Sequence, residues 1–152
     1  MSKAIDIAEV IVARLNNQAS YRFPEHAAVM ANVKAIVDRQ LDIEAEIDRA
    51  VKFAKGKGAI VTLFYQGFRN LDDSGAAYAR ILRRYTLSVY CLPILRRNDS
   101  PADDIIEACA YHLHHWDGTA DIEEINIKSG DARPDPDYLV YDTDVEVIGK
   151  FI

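Results

Sequence analysis

Three histidines stand close together at His112, His114 and His115, directly before Trp116. Imidazole is a common metal ligand, so this cluster is the first place to look for a metal site. On a helix, His112 and His115 would share a face while His114 would point elsewhere, and no nearby carboxylate or cysteine completes a tetrahedral set. We therefore expect partly exposed histidines near a helix C-terminus, where the helix dipole favours cationic groups, and no bound metal.

The rest of the sequence lacks the glycine patterns of common catalytic and nucleotide-binding loops. It contains no Gly-x-Ser-x-Gly, no Gly-x-Gly-x-x-Gly and no Gly-x-x-x-x-Gly-Lys-Ser. The Gly-Lys-Gly turn at 56–58 is too short to cradle phosphates and indicates the end of a helix. The carboxylate pairs at 72–73 and 103–104 fall in a loop and at a helix N-terminus, where solvation or capping is their expected role. We expect no catalytic residues and no cofactor.

Arginines cluster at the two ends of one predicted strand, and the last predicted strand alternates apolar with acidic residues. This pattern favours a contact between subunits, in which basic strand ends meet an acidic strand, over a contact with nucleic acid. Aromatic residues, which are enriched with Arg at protein interfaces, lie around the same loop at Tyr65, Phe68, Tyr78 and Tyr85. The candidate interface residues are Arg80, Arg83, Arg84, Arg96, Arg97, Asp142, Asp144 and Glu146.

Composition limits the class of protein. The chain has 152 residues, of which 49% are hydrophobic and 28% charged, which is typical of one globular domain. Its net charge of −6 argues against a protein whose main task is to bind nucleic-acid phosphates. The apolar runs are far too short to span a membrane, and the start of the sequence lacks the apolar core of a secretion signal, so we expect a cytoplasmic location. Cys91 and Cys109 stand in apolar surroundings and are expected to be buried thiols.

Hydrophobic periodicity places the helices and strands. Residues 20–40 fit both a helical and an alternating strand pattern, and because alanine and methionine favour a helix, we predict a helix there. The segment around 130–137 is rich in Gly, Pro and Asp and is predicted to be a loop. The other predicted helices are 3–16, 42–55 and Ser100 to about Trp116, and the predicted strands are 58–67, 80–92, 122–128 and 138–148.

These elements predict an α+β fold. Consecutive strands joined by short loops imply a mainly antiparallel sheet of about four strands, with the helices packed on one face. We expect a single domain over 1–152, with a helical part at about 3–55 followed by the sheet and its helix at about 59–149.

The order of elements resembles the Gp37-type proteins of Mu-like phages and prophages, a tail terminator or tail completion family. The residues that carry the resemblance are the first helix, the strand Ala-Ile-Val-Thr-Leu-Phe-Tyr-Gln-Gly at 59–67 and the strand Arg-Tyr-Thr-Leu-Ser-Val-Tyr at 84–90. The helix ending at Trp116 and the two final strands complete it, so that it covers about Ile60 to Ile148 and the first helix.

The resemblance implies a structural, non-enzymatic protein of the virion tail. Such a protein would cap the tail tube as a homo-oligomeric ring, commonly a hexamer, and would contact the tail tube protein and the head-tail connector proteins. Two alternatives stay open at this point. One is a small nucleic-acid-associated module that uses the arginine cluster, and the other is an accessory subunit of a tail-like secretion machine.

Overall fold

The N-terminal helix α1 (Lys3–Asn16) forms where the sequence predicted it. In the computed structural model, which describes residues 2–38, 45, 59–71, 80–91, 102–135 and 138–150, Ser2 caps this helix by accepting a hydrogen bond from the Ile5 amide at 3.2 Å. The four-residue spacing of the apolar side chains gives the helix one buried face, formed by Ile7, Ile11 and Leu15.

The segment predicted as one helix over 20–40 contains two different elements. After a 3-10 turn at Gln18–Ser20, the short helix α2 spans Pro24–Met30, and the strand β1 follows at Val33–Val37. Pro24 at the first turn of α2 suits a helix start. The helical prediction is wrong for β1, because this segment pairs with a neighbouring strand and its alternating pattern places Ala35 and Val37 in the core.

The sheet has five strands and is mixed. Its further strands are β2 (Ala59–Asn70), β3 (Arg80–Cys91), β4 (Glu124–Arg133) and β5 (Leu139–Lys150), in the order β1-β2-β3-β5-β4. The α+β class is confirmed, whereas the expected four-stranded antiparallel sheet lacked β1, which pairs in parallel with β2. The other pairings are antiparallel. Strand β4 also continues to Arg133, through residues that were predicted to be a loop.

The described helices pack on one face of this sheet, which we call the inner face. Helix α3 (Ala102–Leu113) buries Ile105, Cys109 and Leu113 against it. The inner face itself consists of alternate strand residues, including Val61, Leu63, Tyr85, Leu87, Val145 and Val147. Both cysteines are free and buried, as predicted, and burial raises the pKa of the Cys109 thiol to about 12.

Some predicted elements lie outside the described residues. These are the helix at 42–55 and the helix start at Ser100 and Pro101. Among the helices that the structure describes, none combines the length and the apolar character that crossing a bilayer requires.

Neighbouring side chains close part of each sheet edge. At β1, the Asn16 amide accepts a hydrogen bond from the Ala35 N–H and donates one to the Ala35 carbonyl, both at 2.9 Å. At β4, the His115 N–H donates to the Ile125 carbonyl at 2.8 Å, and the Ile127 N–H donates to His114 Nδ1 at 3.1 Å. An open strand edge invites unwanted pairing, so these contacts protect the fold against aggregation.

Candidate interaction surfaces

A cavity of about 690 Å³ opens where the C-terminal ends of α1 and α3 meet. Its walls combine the hydroxyl, imidazole and guanidinium groups that could support either catalysis or anion binding. The principal lining residues are Arg14, Ser20, Arg22, Glu107, Tyr111, His112, His114, His115 and Trp116.

Within this cavity, Ser20 and His112 form a contact that resembles a nucleophile–base pair, with Oγ and Nε2 separated by 2.9 Å. The Ser20 hydroxyl, however, has one proton and lies 2.6 Å from the Asn17 carbonyl oxygen, a shorter and stronger acceptor contact. The arrangement that satisfies both contacts has the hydroxyl donating to Asn17 and the imidazole N–H donating to the hydroxyl. In this arrangement the imidazole cannot remove the hydroxyl proton, and the contact joins the α1–α2 connection to α3.

The surroundings of His112 support a structural role. Its ring stacks on Tyr21 with centroids 4.0 Å apart, and only 7% of the residue is exposed. Burial, together with the nearby Arg14 charge, lowers the pKa of His112 to about 4. The prediction of partly exposed histidines is therefore wrong for His112, because the α1–α2 connection covers this side of α3.

Arg14 satisfies the carbonyl end of α3. Its Nε donates to the His112 carbonyl at 3.2 Å, and its guanidinium lies 4.5 Å from the Trp116 ring centroid. Burial lowers the pKa of Arg14. Because two helix C-termini direct their carbonyl groups here, the local field favours cations and disfavours an anionic ligand.

His114 and His115 lie beyond the helix. Since α3 ends at Leu113 and His115 has a φ of 63°, the expected i, i+3 pairing of His112 with His115 does not form. His114 instead accepts the Ile127 N–H, and His115 Nδ1 lies 3.3 Å from Glu124 Oε1. Within the described ranges, no three His, Cys, Asp or Glu side chains converge as a metal site would require.

The predicted arginines occupy different environments. Arg80 is exposed and pairs with Glu123 at 2.9 Å, whereas Arg83 is 4% exposed, points to the inner face and donates to the Lys150 carbonyl at 3.3 Å. Arg84 is exposed on the opposite face of the sheet, which we call the outer face, and has no ion-pair partner among the described residues. Arg96 and Arg97 lie outside the described residues.

The three acidic residues of β5 lie in a row on the outer face, because Thr143 and Val145, which alternate with them, are buried. Asp142 accepts hydrogen bonds from Ser88 Oγ and from Arg133 Nε, both at 2.6 Å. Glu146 lies 3.9 Å from Lys128 Nζ. Asp144 is exposed, and no cation of the described chain pairs with it.

Sequence reasoning missed an exposed aromatic patch on α2 and α3. The rings of Phe23, His26 and Tyr111 contact one another at centroid distances of 5.2 to 5.6 Å, and Arg22 lies 5.5 Å from the Phe23 centroid. Phe23 is 36% and Tyr111 53% exposed. The position of Tyr111 outside the apolar stripe of α3 was the available signal. The patch forms because the connection between α1 and α2 brings Phe23 against α3.

The aromatic residues that the sequence placed around the same loop as the arginines also differ in their exposure. Tyr85 is fully buried and donates to the Ala4 carbonyl at 2.6 Å, whereas Phe68 is 56% exposed at the far end of β2. Tyr78 lies outside the described residues. Of this group, Phe68 has the exposure expected of an interface residue.

No family model matches the chain, and no curated protein matches it either. The family resemblance therefore depends on the order of its elements and on the residues quoted for it. The function has to be argued from the surfaces described above.

Proposed function

We propose that the protein is a structural tail protein of a phage or prophage, a terminator or completion protein that closes the tail tube as a ring of identical subunits. The observation that carries this proposal is that one sheet presents two unlike charged surfaces. One is the acidic row Asp142, Asp144 and Glu146, and the other is the hairpin end, which we define as residues 68–70 of β2 and 80–83 of β3.

The two surfaces suit a contact between copies. Arg80 and Ser88 are eight positions apart on β3, which at about 3.4 Å per residue separates them by about 27 Å. Ser88 pairs with Asp142, so Arg80 at the hairpin end cannot reach that part of the acidic row within its own subunit. A contact between two different surfaces of identical subunits is heterologous and closes into a ring when its rotation permits.

Exposed side chains supply the complementary chemistry. Arg69 is exposed at the hairpin end beside Phe68, and Asp144 is exposed in the acidic row. Apolar surface combined with opposite charges steers association and fixes its register. The aromatic patch of Phe23 and Tyr111 lies on α2 and α3, on the inner side of the sheet, and offers a separate surface for the tail tube protein or a connector protein.

Charge reversal at Arg69 tests the ring, because Arg69 is exposed and lies two strands away from the acidic row of its own subunit. We expect the unchanged protein to sediment as an oligomer at micromolar concentration, alone or with tail tube protein, and Arg69→Glu to weaken the association at least tenfold. Arg83 is unsuitable for this purpose because its side chain is buried. Lys34→Glu, which makes the same charge change at an exposed residue of β1, is the matched control and should assemble normally.

A mixing experiment shows whether the contact joins different copies. Arg69→Glu and Asp144→Arg subunits should each assemble poorly, whereas an equal mixture should form rings in which the two variants alternate. Analytical ultracentrifugation of each variant and of the mixture distinguishes these outcomes. A monomeric unchanged protein, with and without tail tube protein, would remove the support for the ring.

Nucleic-acid contact has less support from the described arginines. Arg83 is buried, Arg80 is paired with Glu123, and Arg84 stands opposite Glu146 in the sheet register. A gel shift with DNA that weakens as salt rises would favour this rival function.

A further inference from the structure

The free edge of β4, on the side away from β5, is only half covered by other parts of the chain. Strand β4 is the last strand of the sheet, so it pairs with β5 on one side only. The turn at His114 and His115 covers its first half, but the residues from Lys128 to Arg133 are exposed.

The register shows which backbone groups face outward. Residues of an antiparallel strand alternate between directing both backbone groups toward the partner and directing both away from it. Ile125 and Ile127 direct theirs away from β5, because they bond to the His114–His115 turn. The register shifts between Ile127 and Gly130. Beyond this shift, the same alternation directs the backbone groups of Gly130 and Ala132 away from β5 and those of Asp131 and Arg133 toward it. No group of the described chain bonds to the backbone of Gly130 or Ala132 on this side.

A groove of about 230 Å³ lies beside this open edge, between β4 and α3. Its floor includes Ile106 and Tyr141, and Asp103 and Glu107 stand on its rim. Both acids are exposed and have no ion-pair partner among the described residues. An extended segment that pairs with the β4 edge would place alternate side chains over this groove and the others on the outer face.

We propose that a strand from a second copy completes this edge, namely the exposed end of its β2–β3 hairpin. This inference rests on the proposed function, in which the copies assemble. Strand β2 runs on to Asn70, past Leu63, its last pair with β1, so it offers an extended segment with one exposed basic side chain, Arg69. The added strand would lie about 10 Å from β5, close enough for Arg69 to approach the acidic row.

The test removes a single outward-facing amide. Ala132→Pro deletes an N–H that makes no bond within the described chain, and Ala132→Ser retains it. We expect the proline variant to assemble at least tenfold more weakly than the serine variant, and both to keep the circular dichroism spectrum of the unchanged protein. Hydrogen exchange of the unchanged protein gives a second measurement, in which the Ala132 amide should exchange at least tenfold more slowly in the oligomer than in the monomer.

The outcomes separate this inference from the ring itself. If the unchanged protein assembles while Ala132→Pro assembles equally well and the Ala132 amide stays unprotected, strand addition is wrong and the ring remains. In that case the bulge, Lys128 and Pro134 simply keep the edge from pairing. If Ala132→Pro disturbs the monomer, the exchange measurement decides. If the unchanged protein never assembles, the proposed function fails and this inference fails with it.

Discussion

The contact between His112 and Ser20 shows how burial and neighbouring hydrogen bonds determine the chemical role of a side chain. Two residues of types common in hydrolases lie 2.9 Å apart, but the hydroxyl donates to a backbone carbonyl and the imidazole is buried and neutral. The pair therefore links the end of α1 to the end of α3. Such a link is a contribution to stability, and its strength depends on the protonation of His112.

Acid should weaken this link. The unfolded chain protonates His112 near pH 6.5, whereas the folded protein does so only near pH 4. Between these values the unfolded state binds more protons, so the free energy of unfolding falls as the pH is lowered, by at most about 3 kcal/mol for this residue. Urea unfolding at pH 7 and at pH 4.5 measures the effect.

Two variants control for other titrating groups. His112→Gln keeps a donor for Ser20 without titrating and should flatten the pH dependence in this window. Gln18→Ala, at an exposed residue with no titrating side chain, should leave it unchanged. An unaltered slope in His112→Gln would show that other groups cause the acid sensitivity.

At the level of elements, the fold depends on how each edge of the sheet is closed. Asn16, the last residue of α1, satisfies both backbone groups of Ala35 and so acts as a short substitute for a neighbouring strand. This contact joins the first helix to β1. It helps to hold in place a strand whose sequence pattern also suits a helix.

Asn16→Ala should therefore destabilise the protein by about 2 kcal/mol, because it leaves a partly buried N–H and C=O of β1 without partners. Chemical denaturation gives the size of the loss, and light scattering should show more aggregation because the edge is open. Gln18→Ala, at an exposed residue just after α1, is the control and should cost almost nothing. An Asn16→Ala protein as stable as the Gln18→Ala protein would contradict the proposed role of Asn16.

At the level of the whole molecule, the arrangement of charge matters more than its sum. A net charge of −6 describes the chain, yet the sheet carries exposed arginines at the hairpin end and an acidic row along β5. In the proposed assembly, this asymmetry would favour one orientation between identical subunits. The proposed assembly should therefore depend on ionic strength.

Raising the salt concentration from 0.1 M to 1 M shortens the Debye length from about 10 Å to about 3 Å and should raise the dissociation constant of the oligomer at least tenfold. Sedimentation at both salt concentrations measures this. The melting temperature of the isolated monomer should change little, because the core is apolar. Tighter association at high salt would indicate that apolar contacts dominate the interface.

Local patterns predicted much of the fold. The first helix, the helix after residue 101, the two long strands β2 and β3 and the final strand β5 all appear close to their predicted ranges. Each has a periodicity that a single face can bury, so neighbouring residues suffice to identify it. The alternation of Val145 and Val147 with acidic residues also correctly assigned the faces of β5.

Other features depend on contacts between distant parts of the chain. The sequence by itself determined the α+β class, the buried cysteines and the two-sided character of the last strand, because these follow from composition and from spacing along one element. Packing between residues far apart in sequence decided the other features. These are the strand at 33–37, the burial of Arg83 and His112, and the open half of the β4 edge. Such burial depends on which surfaces meet in space, and an arginine or histidine has the same local sequence pattern whether it is covered or exposed.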